Sequence, residues 1–142
     1  MFDIAIERRG DAPRGEIVIG AHRERFTVDL SAWDLGAYKA TWMRAAAHVL
    51  ERGYGRFLVS ACAPGVRSYI GWTCRRRSNE AMLFKSMLLP SLAESFSQPE
   101  DAELSADDYA ERNNEEPNLK TYRCALADIA NFEARLRGAV RN

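Results

Sequence analysis

The sequence is poor in the side chains on which catalysis and metal binding usually rest. Histidine occurs only as His22 and His48. Neither has a Cys, Asp or His at metal-ligand spacing, so a zinc site is not expected. The three cysteines, Cys62, Cys74 and Cys124, are odd in number, widely separated and free of any C-x-x-C pairing. That pattern excludes a disulfide framework and fits small apolar core residues of a reduced, intracellular protein. The nine glycines are scattered over turns and helix ends, and Gly53-Tyr54-Gly55 runs into a strand-like segment instead of a helix N-terminus. A phosphate cradle is therefore absent. No G-x-S-x-G elbow is present, although a nucleophile–His set assembled from distant positions stays open at this point. No apolar run approaches the ~20 residues of a membrane helix. Met1-Phe2-Asp3 enters a strand pattern at once, without the basic and then apolar run of a signal peptide. Cytoplasm is the expected location, and no cofactor is expected.

An excess of charge of one sign is also missing. Twenty basic residues balance twenty acidic ones in the 142. A dedicated nucleic-acid binder carries a basic surplus, because phosphate contacts supply most of its affinity, so DNA or RNA is not expected as the main partner. What is present is enough apolar sequence, 46%, for the core of one ordinary domain spanning residues 1–142.

Periodicity organises that domain. Phe2, Ile4 and Ile6 alternate with polar neighbours and predict a first strand. A turn is expected over Gly10–Gly15, then a hairpin of Glu16–Gly20 and Arg25–Leu30. In its second arm Phe26, Val28 and Leu30 face one way and Arg25, Thr27 and Asp29 the other. Asp34 to Arg52 predicts one long helix, with Asp34 as N-cap and Gly53 in the left-handed position beyond the end. Leu35, Tyr38, Trp42, Ala45 and Val49 form its apolar stripe. Phe57–Cys62 reads as a central strand buried on both faces, followed by a turn at Pro64-Gly65. Ser68–Arg76 and Ala81–Leu89 read as a further hairpin, and Lys120–Ala127 as a last strand. A short helix begun by Asp128 and ended by Gly138 closes the chain. The expected fold is α+β, a mainly antiparallel sheet of about five to seven strands carrying one long helix and a short C-terminal one.

Charge is distributed unevenly along this frame. Between Glu94 and Glu116 nine acidic residues face only Arg112, a net −8, so the remaining 19 basic and 11 acidic residues carry +8. Such a run can be a solvated loop and nothing more. It can also attract a basic surface, speeding association and selecting partners. Glu100, Asp101, Glu103, Asp107, Asp108 and Glu111 are the candidate contacts, with Tyr109, Phe96 and Leu104 as apolar anchors among them. Disordered acidic tails usually lack aromatics. Residues 94–118 are accordingly expected to form an acidic surface loop that offers itself to a protein partner.

Arg75-Arg76-Arg77 is the single basic cluster. With Trp72 and Tyr69 it predicts either a small RNA patch that stacks bases and holds phosphates, or a hairpin end kept soluble and blunted against edge pairing. Clasping part of the acidic loop is a third use. His48, set among Ala45–Ala47 and Val49-Leu50, reads as a helix packing residue or, less plainly, as a general base.

The order of these features resembles the CdiI family, immunity proteins of bacterial contact-dependent growth inhibition systems. The resemblance is carried by Phe2-Asp3-Ile4-Ala5-Ile6, by Gly15-Glu16-Ile17-Val18-Ile19-Gly20 and by Phe26 through Trp33. It continues with Tyr38 and Trp42, with Phe57-Leu58-Val59-Ser60 before Pro64, with Trp72, Arg76 and Leu88-Leu89, and with Arg112. This chain departs from the family in having Gly71-Trp72 for two tryptophans, Ser78-Asn79 for a Gly-Asp turn, and Phe84-Lys85 for a Gln-Asn pair. Cys124 stands near a position where the family has tryptophan. The resemblance implies a non-enzymatic protein that forms a heterodimer with the C-terminal toxin domain of its own cell's CdiA. Many such toxins are nucleases with basic clefts, which an acidic loop suits. Trp72 and Arg76 join the acidic residues as expected partner contacts.

Overall fold

The N-terminal alternation becomes three antiparallel strands in the computed structural model, which describes residues 1–9, 12–28, 30, 34–61, 69–88 and 120–141. Strands β1 (Phe2–Arg9), β2 (Ala12–Ile19) and β3 (His22–Thr27) form a sheet in that order. β2 starts earlier than the expected turn allows, because Pro13 and Gly15 take ladder positions opposite Arg8 and Ile6. Gly15 leaves room there for its neighbour: a β-carbon would lie 2.2 Å from Cε2 of Phe26, whose ring covers it from β3 and would have to move. The β2–β3 hairpin closes between Ile19 and His22. Gly20 supplies the positive φ of 61° at the first turn position, where a side chain would be strained.

The predicted long helix is present as α1 (Leu35–Arg52). The Asp34 side chain accepts from the Ala37 backbone N–H at 2.7 Å, and Gly53 ends the helix at φ 89°. Of its stripe Tyr38, Trp42, Ala45 and Val49 have no exposure, nor has Ala46 beside them, while Leu35 is half-buried.

A second sheet of order β4-β5-β6-β7 follows, made of β4 (Tyr54–Ala61), β5 (Tyr69–Arg77), β6 (Glu80–Leu88) and β7 (Tyr122–Ala125). All neighbouring strands are antiparallel. The expected single sheet is thus two sheets, and β4, expected at the centre, lies at an edge. It is buried all the same, with Phe57, Leu58 and Val59 at 1% exposure or less. The reason is α1, which runs along β4 and bonds its outward carbonyls. Trp42 Nε1 donates to Leu58 O at 2.6 Å and His48 Nδ1 to Tyr54 O at 2.7 Å. An edge covered by a helix cannot template pairing with another chain. The helix backbone passes close over Gly55, where a β-carbon would meet Ala45 O at 2.8 Å.

The last helix, α2 (Leu126–Arg141), is not short. It runs on through Gly138, which has ordinary helical φ and open space around it. Asp128 lies in its first turn, and its carboxylate accepts from the Ala125 N–H at 3.2 Å and from the Met1 ammonium at 3.0 Å. This is half of a capping box, a side chain reaching back to the N-cap amide. The core is one cluster shared by both sheets and both helices. Phe2 is at its junction, 4.9 Å from Phe57 of β4 and 4.9 Å from Phe132 of α2 between ring centroids.

Candidate interaction surface

The acidic candidates Glu100, Asp101, Glu103, Asp107, Asp108 and Glu111 and their anchor Tyr109 lie outside the described residues, as do Trp33, Cys62 and Arg112. The two remaining candidates have separate fates. Trp72 is 1% exposed and packs in the core, its ring 5.8 Å from Tyr122 and 6.2 Å from His22. A side chain so enclosed has no face left for a partner, so its expected place in a contact surface is corrected by its burial. Arg76 is exposed, but its guanidinium already ties the β5–β6 hairpin to the end of α1. Nη1 donates to Leu50 O at 3.3 Å and Nε to Ser78 O at 3.2 Å, while its backbone N–H meets Gly53 O at 2.8 Å. A cation beside the C-terminal carbonyls of a helix is favourable by about 0.3–1 kcal/mol.

Alternation also divides the arginine cluster. Arg76 shares a sheet face with Trp72 and Cys74. Arg75 and Arg77 are on the other face, where cross-strand pairing puts Met82 beside Arg75 and Arg123 beyond it. Trp72 therefore cannot stack a base while these arginines hold its phosphates. The sequence proximity that suggested an RNA patch does not survive folding.

The two histidines are engaged in packing. A carbonyl only accepts, so His48 holds its proton on Nδ1 toward Tyr54 O, with the Tyr54 ring edge-on at 4.7 Å. His22 stacks on Tyr122 at 3.8 Å, bringing the tip of the first sheet onto β7. Among the described residues its buried Nε2 has no hydrogen-bond partner, and Glu24 Oε1 lies 3.8 Å away. Glu24 is itself held by Lys85 Nζ at 3.0 Å, an ion pair between the two sheets.

Cys74 and Cys124 are free and buried, as expected of core thiols. Burial, with Cys124 nearby, pushes the Cys74 thiol far above the ordinary range. Burial and the Asp128 carboxylate push Cys124 up to about 11, against an opposing pull from the Met1 ammonium. Neither is a thiolate nucleophile near neutrality. Among the described residues no cluster of three or more His, Cys, Asp or Glu is arranged to hold a metal ion. No described helix is long and apolar enough to cross a membrane.

A surface that sequence reasoning passed over is the outer face of the first sheet. A depression of ≈ 370 Å³ there is lined by Ala5, Glu7, Arg14, Gly15, Glu16 and Arg25. Glu16 is shared between Arg23 at 3.0 Å and Arg25 at 4.0 Å, and these arginine side chains are 63% and 85% exposed. The alternation marked only Arg25, as a residue facing away from Phe26; strand order, which sequence does not give, places Arg23 and Arg25 on a sheet edge.

The architecture is that of an α+β protein with two antiparallel sheets sharing one core with two helices. No family model matches the sequence, and no curated protein matches it. Among solved structures, the fold is similar to a chain of the CdiA-CT/CdiI toxin and immunity complex from Enterobacter cloacae. The TM-score is 0.75 at 17% identity, covering 97% of this chain and 99% of that one. At that identity the likeness establishes a shared fold, and the resemblance drawn from sequence holds at that level.

Proposed function

We propose that this protein is an immunity protein, which binds the C-terminal toxin domain of its own cell's CdiA effector and neutralises it by covering the toxin's active or substrate-binding surface. The observation that carries the reading is the fold shared, over nearly the whole chain, with a chain from a solved toxin and immunity complex. The sequence resemblance points the same way. The engagement of both histidines and both described thiols in packing suits a protein that works by binding rather than by a reaction of its own.

On this reading the partner is a nuclease domain with a basic cleft, met in the cytoplasm as a one-to-one heterodimer without a cofactor. Carboxylates of the segment 94–116 occupy positions that substrate phosphates would take. Glu100, Asp101, Glu103, Asp107, Asp108 and Glu111 are the proposed contacts, with Tyr109 as anchor. Close charge pairs in tight inhibitor complexes couple by about 1.5–7 kcal/mol.

The test uses the toxin domain of an exoprotein encoded immediately upstream. Binding at about nanomolar Kd or tighter and rescue of growth on co-expression are expected. Association should slow as salt rises, and in Asp107→Lys, Asp108→Lys and Glu111→Lys variants. Absence of both binding and rescue sinks the immunity reading. Salt-independent association, together with unchanged binding after neutralising the whole segment, removes that segment from the interface.

A further inference from the structure

Among the described residues, β3 is a sheet edge whose outward backbone no other element occupies. β4 is bonded by Trp42 and His48 of α1, β1 has its Phe2 carbonyl taken by Arg135 Nη2 at 3.1 Å, and β7 is only four residues long. β3 ends its sheet and pairs with β2 through six residues in unbroken register. The next bond of that ladder, from Val28 N–H to Pro13 O at 3.2 Å, fixes the phase. Even-numbered residues of β3 turn their backbone toward β2, so Arg23, Arg25 and Thr27 turn theirs outward. Among the described residues no backbone group meets them. The flanking side chains are open as well, Arg25 at 85% and Arg23 at 63% exposure.

We infer that the β3 edge is a docking strand: an extended segment of the toxin, with carboxylates at alternate positions, pairs with residues 23–27 and adds a fourth strand to the sheet. This rests on the immunity reading, and it gives the partner a second contact besides the acidic segment. Strand addition draws affinity from main-chain hydrogen bonds and specificity from alternate side chains.

Two observations choose the occupant. The first is charge. Glu16 serves two guanidiniums at once, 3.0 Å from Arg23 but 4.0 Å from Arg25, so Arg25 keeps donors to spare. Carboxylates on the same face of an added strand would satisfy them, next to the depression that Arg25 lines. The second excludes another copy of this chain. Antiparallel pairing of β3 with itself about its centre sets Arg25 opposite Arg25, and like charges directly opposite are destabilising. On the other face, half-buried Phe26 asks for an apolar residue in the incoming strand. The polarity of the chain agrees: a partner meeting the −8 segment with a basic surface would meet this part of the +8 remainder with an acidic one.

Arg25→Pro tests the bonds. Proline removes an outward N–H and leaves the β2 ladder intact, as tolerated on edge strands. Arg25→Glu keeps the N–H and reverses the charge, so it serves even if the proline variant melts early. With the upstream-encoded toxin domain, each variant is expected to weaken binding by about tenfold or more. In the wild-type complex the amides of Arg23, Arg25 and Thr27 should gain protection from hydrogen exchange. Tight binding of both variants with no new protection overturns strand addition and leaves the immunity reading standing. Failure of the wild type to bind overturns both.

Discussion

A single added methyl group separates two glycines that look alike in the sequence. Gly55 is where β4 passes beneath α1, and a β-carbon there would stand 2.8 Å from the Ala45 carbonyl oxygen and 2.9 Å from Cγ2 of Val49. The first neighbour is backbone, so no rotamer change relieves the clash. Helix α1 must lift away, and it carries Tyr38, Trp42 and Val49 in the core and the bonds to Leu58 O and Tyr54 O. Overpacking of this kind costs about 1–3 kcal/mol. At roughly 2–8 °C per kcal/mol for small to medium domains, Gly55→Ala should lower Tm by about two degrees or more. Gly138 is the control: within α2, without positive φ, and with nothing within 4 Å of a β-carbon. Gly138→Ala should stabilise by about 0.5–1 kcal/mol, through the lost flexibility of glycine in a helix. Urea denaturation of both variants, with the slope compared to confirm an unchanged transition, reads the two signs. A Gly55→Ala protein as stable as wild type would refute the close seating of α1 on β4.

Other substitutions probe the remaining supports. Asp34→Ala removes the carboxylate that accepts the Ala37 amide, and should cost about 1 kcal/mol in chemical denaturation. Trp42→Phe leaves the buried Leu58 carbonyl without its donor, for a loss of about 1–3 kcal/mol from the unsatisfied group; a smaller loss would mean that the edge of β4 does not depend on that bond. The raised thiol of Cys124 makes a pH prediction. The folded state favours the protonated form, so its contribution is full below the ordinary thiol value of 9.0 and is lost as pH rises through about 11. Melting temperature should therefore fall over that window, and fall less steeply in Cys124→Ala.

What was legible in the sequence was whatever is decided locally. Asp34 and Gly53 bound α1 because caps act on the few amides and carbonyls next to them. The alternation of β1 follows from its period for the same reason, whereas the second hairpin arm, expected at Arg25–Leu30, is β3 at His22–Thr27. Partition of the strands into two sheets was not legible, since pairing joins residues far apart in sequence. The same limit made β4 look central: burial on both faces is written in Phe57-Leu58-Val59, but a helix can supply the cover that a neighbouring strand would. Gly138 reads as a helix end, and only its surroundings show a glycine that nothing displaces. Trp72 and Arg75 are three residues apart, yet the odd separation puts them on opposite faces, which divides the basic cluster that sequence joined. The acidic segment was legible as charge, and its role remains part of the proposal.

The seating of α1 along β4 has a consequence for how the protein fails. The strand under the helix contains the apolar run Phe57-Leu58-Val59, and the helix occupies its outward carbonyls at Tyr54 and Leu58. Loosening α1 uncovers an aggregation-prone ribbon while the hairpins of both sheets still stand. Damage to the helix seat would then appear as insoluble protein in the producing cell before any unfolded species accumulates. Loss by that route is loss to precipitation, so yield of soluble protein becomes a sensitive gauge of whether the helix is in place.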